Sequence, residues 1–284
     1  MQEILIDSVL DCLKLLPFLY LSYLAVEYAE HRMSEKTKSM IYRAGKAGPI
    51  IGALIGVIPQ CGFAAASAGL FAGGMLSPGT LLAVFLSTSD EMLPIMISEG
   101  IAVPVVIKIL AVKVVVAILA GLALDFLVQR VLGRRNELPE HPHMCEHDHC
   151  GCSEHGIWHS AFSHTVRTAG FLFLISLTIG LLMELFDLHS FSHTVAGMRG
   201  ITELVAGLVG MIPNCAASVL ITQLYLEGIL GSGALFSGLL CGAGTGLLVL
   251  YRENESRKMN LAITAALYVS GTAAGIIIGM IGIL

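Results

Sequence analysis

The sequence predicts an all-α polytopic membrane protein made of two inverted-topology repeats, each carrying a broken or re-entrant helix pair. Three observations lead there. Charged residues make up 13 % of the 284-residue chain and apolar residues 55 %, a balance too poor in charge for an ordinary soluble domain. Stretches such as residues 70–89 and 261–284 carry no charge and are long enough to cross a hydrocarbon core of about 30 Å as helices. The order of apolar segments also recurs once along the chain, and each copy is centred on a short motif, Pro59-Gln60-Cys61 or Pro213-Asn214-Cys215.

In chain order, a first span covers residues 6–30 and a charged loop covers 31–46. Two short apolar pieces, 48–58 and 62–76, flank Pro59-Gln60-Cys61, and spans follow at 80–97 and 102–127. A polar linker then leads to a span at 165–186, two short pieces around Pro213-Asn214-Cys215, and spans at 234–251 and 259–284. The expected organisation is a first transmembrane repeat at 1–130, a His/Cys-rich linker at 131–164 and a second transmembrane repeat at 165–284. The first apolar segment contains Lys14 and lacks a small-residue cleavage site, so no cleavable signal peptide is expected. The 31 glycines suit closely packed membrane helices.

A constant offset of 154 relates the halves: Gly56 maps to Gly210, Pro59 to Pro213, Cys61 to Cys215, Gly79 to Gly233 and Gly121 to Gly275. The short pieces, at about 1.5 Å per residue, are too short to cross comfortably. As re-entrant hairpins they give about six full spans plus two hairpins; as thin tilted spans they give ten segments. Either way each repeat crosses an odd number of times, so its copy is inverted. Twelve of the sixteen Lys and Arg fall in three places: Arg32, Lys36, Lys38, Arg43 and Lys46 after the first span; Arg130, Arg134, Arg135 and Arg167 around the linker; Arg252, Arg257 and Lys258 before the last span. Arg199 alone is left in an outer loop. The positive-inside rule then predicts a multi-pass protein of the inner (plasma) membrane, with both termini outside and the linker cytoplasmic.

Three features could carry chemistry. The first is the pair of helix breaks. Pro59 and Pro213 lack an N–H and free carbonyls in the preceding turn, and unwound backbone at membrane depth is tolerated only beside protein or a watery cavity. Each break adds an amide (Gln60, Asn214) and a thiol (Cys61, Cys215), which together offer hard and soft metal donors. The plainer reading is a kinked helix with a small buried cysteine. The second feature is Ser87-Thr88-Ser89-Asp90-Glu91 inside an apolar span, where adjacent carboxylates are costly and usually functional. The counterpart Cys241-Gly242-Ala243-Gly244-Thr245 has no carboxylate, so any site is asymmetric. Lys108 and Lys113 in the next span are placed to neutralise Asp90 or Glu91, or to repel a cation on release, the deeper Lys113 more so; both are as well placed to snorkel.

The third feature is the linker, where seven of the ten histidines lie with three cysteines. His141, His143, Cys145, His147, His149, Cys150, Cys152 and His155 form a set that suits a transition metal rather than Mg or Ca. Their spacing fits no zinc finger, so a chelating tail is expected rather than a folded module.

In these motifs the chain resembles the bacterial ten-span heavy-metal exporter family, often labelled a manganese or arsenic-type efflux permease. Pro59-Gln60-Cys61-Gly62-Phe63 and Thr88-Ser89-Asp90-Glu91 carry the resemblance most specifically. It implies efflux of a metal or metalloid. No Gly-x-x-x-x-Gly-Lys-(Ser/Thr) phosphate loop is present, so energy is expected from an ion gradient.

The expected function is therefore a secondary transporter, not an enzyme, exporting a divalent transition or heavy metal of the Mn, Zn, Co, Ni or Cd class. The pathway residues are Gln60, Cys61, Ser87, Thr88, Asp90, Glu91, Lys113, Asn214 and Cys215, with Cys61, Cys215, Asp90 and Glu91 as metal ligands. The alternative is a permease for a small sulfur- or arsenic-containing anion or organic compound. The expected partners are the bilayer, the metal ion and coupling protons. No tightly bound cofactor and no nucleic acid are expected; a homo-oligomer is compatible with this reading.

Overall fold

The computed structural model describes residues 47–57, 61–88, 92–131, 200–213 and 215–282, with single helical positions between 16 and 24 and between 158 and 178. The expected first span, most of the span at 165–186 and the His/Cys-rich linker lie outside the described residues. The described part is all-helical. Ten helices follow in order: α1 (Gly48–Gly56), α2 (Cys61–Ala72), α3 (Pro78–Ser87), α4 (Met92–Ser98), α5 (Val103–Val131), α6 (Ile201–Gly210), α7 (Cys215–Leu226), α8 (Ser232–Cys241), α9 (Thr245–Glu253) and α10 (Arg257–Ile281).

The five helices of the first half start at 48, 61, 78, 92 and 103, and those of the second at 201, 215, 232, 245 and 257. Each pair of starts is separated by 153 or 154 positions. Packing recurs in the same way. Helix α3 packs between α1 and α5, and α8 between α6 and α10. Contacts also cross between the halves reciprocally: α2 lies against α9, and α7 against α4.

The two central helices are the most enclosed. All ten residues of α3 are buried, as is α8 from Gly233 to Cys241. In an 18-residue apolar window of each, 83 % of Ser232–Glu253 is buried, against 28 % of Val103–Arg130 and 33 % of Arg257–Ile281. These three are the stretches long and apolar enough to cross a membrane among the described residues. The long helices thus form the perimeter, exposing Ile107, Val115, Leu119 and Phe126 on α5 and Leu261, Val269 and Ile277 on α10. Such apolar faces are unfavourable in water and suit lipid.

Lipid tails give apolar side chains no reason to prefer protein, so membrane helices associate through close packing and small residues. Two glycine pairs do this here. A Cβ on Gly79 of α3 would lie 2.1 Å from the Gly121 carbonyl oxygen of α5. A Cβ on Gly275 of α10 would lie 2.7 Å from the Gly233 carbonyl oxygen of α8. The offset of 154 maps the first pair onto the second.

Two expected spans are interrupted. The span at 80–97 is two helices, α3 and α4, and the span at 234–251 is α8 and α9. The local causes differ. At the end of α3, the Thr88 N–H and both the Ser87 and Thr88 hydroxyls donate to the Val84 carbonyl, at 3.1, 3.0 and 2.7 Å. Hydroxyl back-bonding of this kind competes with the helical ladder, and Thr88 leaves the helix with ψ at 131°. At the end of α8, Gly242 departs from helical ψ and Gly244 adopts φ +51°, a left-handed value that glycine tolerates without steric cost.

Candidate functional site

Each half therefore contains two helix interruptions: one at the Pro-(Gln/Asn)-Cys motif and one in the central span. Cys61 is the first residue of α2 and Cys215 the first residue of α7. The cysteines thus stand where a helix presents unpaired N–H groups and a positive dipole end. Pro213 is partly buried in the link between α6 and α7. Pro59, Gln60 and Asn214 lie outside the described residues, and the side chains of Cys61 and Cys215 are not described.

The central interruption of the first half follows Ser87 and Thr88, which are 0 % and 3 % exposed. Asp90 and Glu91 belong to the link between Ser87 and Met92 along the chain and lie outside the described residues. The sequence reading put them within a continuous span; the helix ends before them.

Lys113 is the polar group that joins the two central breaks. It lies on α5 and is fully buried. Its ammonium donates to the backbone carbonyl of Thr88 and, at 3.0 Å, to that of Leu239 in the last turn of α8. A continuing helix would direct the Ala243 N–H to Leu239. Instead it donates to the Cys241 carbonyl at 3.0 Å, and Lys113 satisfies the carbonyl left behind. Lys108, five residues earlier, is exposed on the same helix.

The opposite end of α3 is also held from α5. The Ser77 hydroxyl donates to Asp125 Oδ2 and the Gly79 N–H to Asp125 Oδ1, both at 2.7 Å. Ser77 Oγ in turn accepts from the Thr80 N–H at 3.1 Å as the N-cap. In the second half the residue matching Asp125 is Gly279, and a carboxylate arrives from another helix. Glu203 of α6 accepts from the Gly200 N–H at 2.6 Å, and its other oxygen lies 2.8 Å from where a Gly233 Cβ would stand.

One residue escaped the sequence reading as a site residue. Thr245 opens α9 directly after the second central break and is 7 % exposed. Its hydroxyl is the buried side-chain polar atom without a hydrogen-bond partner among the described residues. The offset of 154 maps Glu91 onto Thr245, so the signal was present: a polar residue at the position that carries a carboxylate in the other half. No group of three or more His, Cys, Asp or Glu side chains able to hold a metal occurs among the described residues.

These features define a helical membrane protein whose central helices are discontinuous, with Ser87, Thr88, Lys113 and Thr245 buried at the discontinuities. The family model described as "Putative, 10TM heavy-metal exporter" matches residues 1–203, well over half of the 284 residues. The chain belongs to that heavy-metal exporter family. The matched region runs through α5 and ends at the start of α6. No curated protein and no solved structure shows significant similarity to the chain.

Proposed function

We propose that the chain is a secondary transporter that exports a divalent transition or heavy-metal cation of the Mn, Zn, Co, Ni or Cd class, driven by an ion gradient. One observation carries the reading beyond family membership: each half interrupts its central buried helix at the same offset, and a buried ammonium bridges the two interruptions. Broken helices around a midplane site are the common plan of carriers built from inverted repeats. In this reading the halves at 1–130 and 165–284 are such repeats.

Cys61, Cys215, Asp90 and Glu91 would take the metal from its hydration shell, with Gln60, Asn214, Ser87 and Thr88 as oxygen donors. Thr245 adds a hydroxyl from the second half, whose lone pairs have no competing donor. Carboxylates and thiolates bind metals when deprotonated, so protons arriving from outside would release the ion. The linker, with His141, His143, Cys145, His147, His149, Cys150, Cys152 and His155, would concentrate metal at the cytoplasmic mouth. Both termini then lie outside an inner membrane.

A second reading is favoured by one observation, that Cys61 and Cys215 both open helices. Helix N-termini favour negative charge, which suits a small sulfur- or arsenic-containing anion. Cellular accumulation separates the readings. Cells lacking the protein should accumulate at least one of Mn, Fe, Co, Ni, Zn or Cd, and wild-type protein but not the Cys61→Ala, Cys215→Ala variant should reverse this. If no metal accumulates and arsenical or thiosulfate-like transport tracks the cysteines, the second reading replaces the first.

A further inference from the structure

We propose that Lys113 is a tethered monovalent cation, whose ammonium fills a carbonyl-lined site that would otherwise take an alkali-metal ion. The proposal rests on the transporter reading for its consequence, but not for its geometry. Two acceptors of the ammonium are backbone carbonyls at the C-terminal ends of interrupted helices: Thr88 at the end of α3 and Leu239 in the last turn of α8. Such ends carry a partial charge of about −0.5 each. Two of them converging on one point favour a cation there, and the Lys113 ammonium stands at that point. Carbonyl oxygens at unwound helix ends are the donors with which carriers hold Na⁺, and hard oxygen donors suit hard cations.

The arrangement is one-sided. The residue matching Lys113 in the second half is Leu267, which is fully buried and apolar. A single side chain from the first half therefore serves helix ends from both. With the ammonium in place, an alkali cation meets a like charge and occupied carbonyls. The carrier would then have no alkali coupling ion at this site, which leaves coupling to protons or another gradient.

Thermal unfolding of the purified, detergent-solubilised full chain tests this without heavy metal or transport. Melting is compared in choline, lithium, sodium and potassium chloride at equal ionic strength. Wild type should melt at the same temperature in all four. Lys113→Ala should melt several degrees lower in choline and recover at least half of that loss in lithium or sodium. Lys113→Met, which keeps the apolar stem, should behave likewise if the alanine variant folds too poorly to measure. A loss without alkali-selective recovery overturns the proposal, because Lys113 would then be a structural hydrogen-bond donor only. So does alkali-selective stabilisation of wild type, or failure of both variants to fold in every salt. The metal-export reading stands or falls separately, on the accumulation measurement above.

Discussion

Lys113 and Asp125, twelve residues apart on α5, hold opposite ends of the same helix, α3. The carboxylate takes N–H and hydroxyl donors at the α3 N-terminus, and the ammonium donates to a carbonyl past its C-terminus. Each charge has the sign that the α3 dipole favours at its end. Twelve helical residues rise about 18 Å, enough to span the ten residues of α3 at about 15 Å. The two helices must therefore run antiparallel, as their end-to-end pairing requires.

This clasp predicts a coupled pair of substitutions. Ser77→Ala and Asp125→Asn each remove part of one cap, and loss of a cap costs about 0.5–2 kcal/mol. Because both act on one network, the double variant should be less destabilised than the sum of the singles. Thermal unfolding of the four proteins measures this. Strict additivity would mean that Ser77 and Asp125 stabilise α3 independently.

How much of this was legible beforehand differs from residue to residue. The break between α6 and α7 was, because Pro213 lies in that link and proline cannot supply the helical N–H. Gly79, Gly121, Gly233 and Gly275 keep the offset seen in the sequence, and each of the two pairs approaches closely. The breaks after Ser87 and Cys241 were not legible. Hydropathy averages across them, and nothing apolar marks the point at which the Ser87 and Thr88 hydroxyls turn back to Val84 or Gly244 reverses φ. The sequence reading paired Lys113 with carboxylates. Its hydrogen bonds to the backbone carbonyls of Thr88 and Leu239, 25 and 126 positions away, were not foreseen, because a carbonyl leaves no trace in residue identity.

The glycine pairs predict sharp differences among similar substitutions. Gly79→Val and Gly275→Val would drive a side chain into the facing backbone, which cannot yield without separating the helices. Losses of about 2–4 kcal/mol are expected for such overpacking. Gly231→Ala is the control: its φ is −77° and nothing lies within 4 Å of its Cβ position, so the change should stay within about 0.5 kcal/mol. Folded yield and melting temperature in detergent read this. Equal tolerance of all three would remove the close approach as a cause of helix association.

The linker predicts a partial effect. Deleting residues 139–159 removes the His/Cys set and leaves α1 to α10 intact. Metal resistance should then weaken at low metal concentration and persist at high concentration, as expected when a chelating segment concentrates the ion without forming the path. Complete loss of export in a correctly inserted protein would make the linker part of the transport site.

Thr245 gives the test in which stability and function should move in opposite directions. A buried hydroxyl without a partner costs about 1–3 kcal/mol of desolvation. Thr245→Val keeps the shape and removes that group, so the variant should be as stable as wild type or more so. A hydroxyl placed only for packing would leave transport unchanged. A hydroxyl that donates a lone pair to the passing cation should be missed. Metal export by Thr245→Val should then need about tenfold more substrate for half-maximal rate, the order that about 1.4 kcal/mol of lost binding represents. Thr245→Ser, which keeps the oxygen, should restore it. Equal export by valine and threonine in reconstituted vesicles would remove Thr245 from the pathway and leave its unpaired hydroxyl without a functional reason.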